Sequence, residues 1–229
     1  MLYEILAIFI VGGIIGLDTT AAWQVLISHP IIACPLIGAV FGEPQLGLFF
    51  GIIFELIWLY YVPSGGAKFP EGNIGSFVGL MTALSLQKDS DFSEPWIILL
   101  ACIYAVLVAY IFGLTVDRVR QYNNRLIEKA DQFAEEGNIH GLERVHLSGV
   151  MMTYVHSAVL SLIFFLSGRF ILNWLLIQLP GQAPFTKLQI QLVFLAIGSV
   201  ILFNLFFERK NVLYLVLAVF TGILLTVIF

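Results

Sequence analysis

The stretch GLFFGIIFELIWLYYVPSGGAKFPEGNIGSFVG, residues 47–79, decides how this chain must be read. Its first half is apolar enough for a membrane, carries one acid, Glu55, and breaks at Pro63-Ser64-Gly65-Gly66 before turning apolar again. A carboxylate near the centre of a membrane helix costs about 2.5 to 3.5 kcal/mol on insertion scales. Backbone that leaves helical geometry at that depth persists only where protein or a water-filled cavity satisfies its amides and carbonyls. A polar site inside a membrane protein is the first expectation.

Composition agrees. Of 229 residues, 59% are hydrophobic and 11% charged, against about 25% charged in an average soluble domain. The expected fold class is all-α: a polytopic integral membrane protein, one membrane domain over residues 1–229. The one long polar stretch, 117–146, is too short to build a core of its own. The opening Met1-Leu2-Tyr3-Glu4 has neither the basic start nor the small-residue cleavage site of a signal peptide, so the first apolar run is expected to remain as a span. Cys34 and Cys102 lie inside apolar runs and read as small buried hydrophobes. The net charge of −4 does not suggest nucleic acid.

With about 20 apolar residues per span, candidate segments fall at 3–17, 30–42, 46–62, 73–87, 96–116, 147–179, 188–207 and 212–229. That makes about six to eight hydrophobic segments, some re-entrant or broken. The segments at 30–42 and 73–87 are short, and Pro30, Pro35 and Pro63 punctuate the region. Short, Gly/Pro-interrupted apolar segments are the sequence pointer to a transporter's binding site. Four glycine pairs at GxxxG spacing, Gly12/Gly16, Gly38/Gly42, Gly47/Gly51 and Gly75/Gly79, predict close helix packing in the same third of the chain.

Arg118, Arg120, Arg125, Lys129 and Arg144 put five of the 11 basic residues in 117–146, which is therefore expected to be a cytoplasmic loop. Within it Ile127, Ala130, Phe133 and Ala134 share one side of a helical pattern, and Gly137-Asn138 supplies a stop. A surface or partner-meeting helix and a solvated connector are equally good readings. The acidic stretch from Lys88 to Glu94 then falls outside.

The order of motifs resembles a known family. Leu17-Asp18-Thr19-Thr20-Ala21-Ala22-Trp23-Gln24, His29-Pro30 through Gly38, Gly42-Glu43-Pro44-Gln45-Leu46-Gly47, Glu55-Leu56-Ile57-Trp58, and Ala130-Asp131 through Gly137-Asn138 followed by His146 resemble the IIC subunit of mannose/fructose/sorbose-type phosphotransferase systems. The resemblance covers most of 10–160. It implies a permease subunit in the bacterial inner (plasma) membrane that binds a hexose or amino sugar and works with a IID membrane subunit. Soluble IIA and IIB subunits would supply the phosphoryl group, and no phosphohistidine is expected on this chain. An oligomer is expected by the same resemblance.

Sugar recognition needs short polar groups converging in a cavity, with carboxylates suited to pairs of hydroxyls. Glu55 is the first candidate, followed by Asp18, Gln24, Glu71 and Asn73. Glu55 is also the candidate to accept the proton leaving the sugar hydroxyl. Its alternative reading is a structural carboxylate on the backbone ends of a broken helix, and that of Asp18 is a cap at the end of the first span. His146 is the candidate for partner docking. His29, His140 and His156 have weaker claims, and no histidine pair has zinc spacing, so neither metal nor cofactor is called for. Trp58, Tyr60 and Tyr61 read as an interfacial or lipid-facing belt.

The family commonly has Asn-Ile-Gly-Ala-Ala and then Pro-Asp after the acid-bearing helix, where this chain has Pro63-Ser64-Gly65-Gly66-Ala67-Lys68-Phe69-Pro70-Glu71. Lys68 can pair with Glu55 or Glu71, or snorkel to the interface. The departure keeps two alternatives open: a degenerate phosphotransferase component with a regulatory or scaffold role, and an unrelated channel or intramembrane enzyme. Against an enzyme, no nucleophile–base constellation stands out.

Overall fold

Helix length against bilayer thickness organises the molecule. The computed structural model describes residues 2–61, 68–89, 92–208, 213, 214, 216 and 217. The Pro63–Ala67 break and most of the 212–229 segment lie outside the described residues. Among the described residues seven helices have defined ends and there is no strand: α1 Leu2–Thr20, α2 Pro30–Val40, α3 Pro44–Trp58, α4 Gly72–Asp89, α5 Glu94–Glu135, α6 Ile139–Gln178 and α7 Lys187–Phe206.

At 1.5 Å per residue, the 19 residues of α1 and the 20 of α7 suit one crossing of a hydrocarbon core. The 11 residues of α2 and 15 of α3 do not. They form an antiparallel hairpin that turns at Phe41-Gly42-Glu43, each helix starting with proline at its first position. A Cβ on Gly38 would lie 2.8 Å from Gly47 Cα, and one on Gly51 2.8 Å from Pro30 O, so the hairpin closes backbone to backbone. Gly42 differs: its φ is +85° with open space around it, so it is a turn glycine rather than a packing one.

The 42 residues of α5 and 40 of α6 are each about twice the length a crossing needs. The stretch 117–146 is therefore not a loop. It is the far end of α5, a tight turn and the start of α6, two arms extending past the apolar halves. Gly137 (φ +66°) ends α5, with Asn138 N donating to Phe133 O (2.8 Å) and Gly137 N to Ala134 O (3.1 Å). This is the paired-bond termination that a left-handed glycine allows. Asn138 Oδ1 then accepts from Gly141 N (2.9 Å) and opens α6.

The core sits around α4, where every residue from Ile74 to Leu86 is buried. Two of its hydroxyls bond its own backbone, Ser76 Oγ on Gly72 O (2.6 Å) and Thr82 Oγ1 on Val78 O (2.8 Å). Gly75 and Gly79 admit Ala109 and Ala105 of α5, while Gly12 and Gly16 of α1 admit Ser161 and Ser157 of α6. At the end remote from the arms, Glu4 (3% exposed) meets Arg169 Nη1 (3.3 Å), Ser85 Oγ (3.1 Å) and Lys88 Nζ (3.8 Å), joining α1, α4 and α6. Cys34 and Cys102 are fully buried thiols. The chain is a multi-pass, all-helical membrane protein.

Candidate functional site

A cavity of about 430 Å³ lies where the end of α1, the α1–α2 loop, the start of α2, the end of α3 and the start of α4 converge. Glu55, Asp18, Gln24, Glu71 and Asn73 all line it. The sequence separates these side chains by up to 55 residues, and the hairpin brings them together.

Glu55 enters from the antiparallel α3 opposite the first turn of α2. One carboxylate oxygen is 2.9 Å from His29 Nδ1, and the other accepts from Ile31 N at 3.2 Å. The Ile31 amide is one of the α2 donors without an intrahelical partner, at the end where the helix dipole favours negative charge. Glu55 therefore holds the backbone end of a short helix, and its side chain remains 21% exposed.

Asp18 is 3% exposed, with Oδ1 accepting from Val25 N and Oδ2 from Ser28 N, both at 2.8 Å. It does not cap α1, because the last turn of a helix presents carbonyls, which need donors. It folds the 21–29 loop back over the cavity. That loop carries three non-glycine residues at left-handed φ, Trp23 (66°), Gln24 (51°) and Leu26 (69°), a conformation costing about 1–2 kcal/mol per residue. The buried anchor holds it there.

Asn73 Nδ2 donates to Thr19 Oγ1 and Ser28 Oγ, both at 3.2 Å, tying the start of α4 to the same loop. Glu71 is 4% exposed, its amide donating to Ala109 O at 2.9 Å. Trp58 is 7% exposed, donates Nε1 to Ser76 Oγ (3.1 Å) and lines the cavity. The belt expected of it therefore fails, because its ring covers Gly72, where no side chain competes for the space. Tyr60 stays 67% exposed. Lys68 pairs with Asp117 (3.1 Å) rather than with Glu55 or Glu71, because it lies against the root of the α5 arm.

His29 is the site residue that sequence reasoning undervalued. A histidine before a helix-starting proline was visible, but its partner lies 26 residues away. His146 lines a different cavity, about 460 Å³, between the α5 and α6 arms and the end of α1. His156 lines it too, with Nε2 3.1 Å from Thr115 Oγ1. Among the described residues no three His, Cys, Asp or Glu side chains are grouped to hold a metal ion.

The fold recurs in a solved structure described as "Structure of membrane protein", with a TM-score of 0.68 over 100% of this chain and 94% of that one, at 20% identity. Among curated proteins, the fructose permease IIC component of Bacillus subtilis is 28% identical over 160 residues, 70% of this chain and 56% of its own length. The mannose-specific EIIC component of Escherichia coli K12 is 25% identical over 164 residues, 72% of this chain and 58% of its own. The sorbose-specific EIIC component of Lacticaseibacillus casei is 26% identical over 149 residues, 65% and 50% respectively. The chain thus spans little more than half the length of these curated relatives. The family described as "PTS system sorbose-specific iic component" matches residues 2–228. This chain belongs to that phosphotransferase IIC family of sugar permeases.

Proposed function

We propose that this chain provides the sugar path of a phosphotransferase permease, binding a hexose or amino sugar in the cavity lined by Glu55. The observation that carries the reading is convergence: five short polar side chains and His29 face one space, within the volume range of small-molecule sites. Lys68, engaged with Asp117, leaves both Glu55 and Glu71 unneutralised by it, which speaks against a closed, degenerate site.

In this reading a IID membrane subunit completes the permease, and a soluble IIB subunit, charged on histidine through IIA, supplies the phosphoryl group. The sugar hydroxyl oxygen attacks phosphorus, the phosphorus–nitrogen bond breaks, and the hydroxyl proton passes to the Glu55 carboxylate. Positioning and electrostatics dominate such transfers. The arms carry the basic residues and face the cytoplasm of a bacterial plasma membrane.

The test is uptake and phosphorylation of a radiolabelled hexose and amino-sugar panel in cells carrying this chain with IID and IIB. Phosphorylated sugar should accumulate with the wild type and fall sharply in a normally inserted Glu55→Gln protein. An assembled complex that phosphorylates no sugar on the panel would instead favour a regulatory role.

A further inference from the structure

The larger cavity, between the arms, takes no part in the site described above, yet the two cavities adjoin. Among the described residues Glu71 alone lines both. One wall carries Arg120, its guanidinium carbon 5.4 Å from the centre of the Phe69 ring, a contact that fixes its direction. The facing helix supplies His146. One turn along α5 from Arg120, Asn123 Oδ1 is buried at the same cavity without a hydrogen-bond partner.

These groups ask for two different things. A guanidinium suits an oxyanion and matches phosphate oxygens in pairs. A buried amide oxygen without a donor is a cost that a hydroxyl or amine would remove. One ligand answers both: a polyol carrying a phosphate. The cavity, about 460 Å³, lies beyond the sugar cavity on the side of the arms, where five of the 11 basic residues concentrate.

We propose that the inter-arm cavity binds the phosphorylated sugar, receiving the product from the Glu55 cavity past Glu71, with Arg120 on the phosphate and Asn123 on a hydroxyl. This rests on the permease reading above. The same chemistry exists in a lipid headgroup with phosphate and hydroxyls, and the test separates the two sources.

The full chain is reconstituted in phosphatidylcholine nanodiscs, and binding of radiolabelled hexose 6-phosphates, amino-sugar 6-phosphates and the corresponding free sugars is measured by equilibrium dialysis. At least one sugar phosphate should bind, and excess inorganic phosphate should compete. Arg120→Gln and Asn123→Ala should each weaken binding by about tenfold or more, while Arg120→Lys, which keeps the charge and tests for mere misfolding, should lose less. Glu55→Gln should lose the free sugar and keep the sugar phosphate.

Free sugar binding without any sugar-phosphate binding would overturn this inference and leave the permease reading standing. So would sugar-phosphate binding that both α5 variants leave unchanged. Full displacement by phosphatidylglycerol added to the nanodiscs would assign the cavity to lipid and overturn it as well. Sugar-phosphate binding that depends on Arg120 and Asn123, with no free sugar binding, would support the cavity assignment and count against the permease reading.

Discussion

Replacing Asp18 with asparagine should loosen the 21–29 loop by a calculable amount. The carboxylate uses both oxygens, one for Val25 N and one for Ser28 N, each at 2.8 Å, and is 3% exposed. Asparagine has one acceptor oxygen, so one amide keeps its bond while the other faces an NH₂ group that cannot accept. A hydrogen bond to a charged group contributes about 1.5–3 kcal/mol, which at 1.4 kcal/mol per decade is about a 10- to 150-fold rise in loop opening. The left-handed residues add to the effect, because their strain is released when the anchor weakens. Hydrogen exchange of a peptide covering 21–29, measured by mass spectrometry in nanodiscs, reads the opening directly. The Val25 and Ser28 amides should exchange faster by that factor, while α4 keeps its protection. Exchange in 21–29 within about twofold of wild type, in a folded Asp18→Asn protein, would refute the anchor.

Two further predictions concern stability. Gly38→Ala should disrupt the hairpin, since its Cβ would lie 2.7 Å from Glu43 O and 2.8 Å from Gly47 Cα, whereas Gly42→Ala meets no neighbour and should cost only about 1–2 kcal/mol for its positive φ; equal thermal shifts for the two in detergent would contradict the packing argument. Glu4→Gln breaks a buried ion pair with Arg169 and should destabilise the protein by about 3 kcal/mol, seen as a Tm lowered by several degrees, and an unmoved Tm would show that Glu4 is not holding α1 to α6.

The sequence made some of this legible and hid the rest for physical reasons. The short helix at 30–40 was visible because Pro30 opens it and Gly42 follows it, whereas the 46–62 segment was not read as short and forms the 15-residue second half of the hairpin. The helical pattern at 127–134 and its Gly137-Asn138 stop were visible too, but not the continuity of the arms with the spans, because a hydropathy window registers only the apolar half of a helix. From Gly113 to Gly137 there is neither glycine nor proline to stop one, and a change from apolar to charged residues alone does not. α4 was also misleading. The 73–87 segment reads as short for a crossing, yet α4 is the most enclosed helix, since its Ser76 and Thr82 bond their own backbone and Ser85 a neighbouring acid. Residue type pointed to Glu55, Asp18, Gln24, Glu71 and Asn73 of the polar cavity, but the pairing of His29 with Glu55 and of Glu4 with Arg169 depends on tertiary proximity that no local pattern encodes.

That pairing changes how mutations at the site must be interpreted. Asp18 and Glu55 each accept two structural hydrogen bonds, while an ionised carboxylate has about four lone-pair positions. Either acid therefore has capacity left for a ligand hydroxyl while still holding the backbone. A loss of sugar binding in Glu55→Gln alone cannot distinguish a missing ligand contact from a displaced α2. The distinction lies at Ile31. If Glu55 contributes only scaffold, sugar affinity should fall in proportion to the increase in exchange at the Ile31 amide across a series of substitutions. If it also touches the sugar, affinity should fall further than that exchange accounts for, because the direct contact is lost even in molecules whose hairpin remains closed.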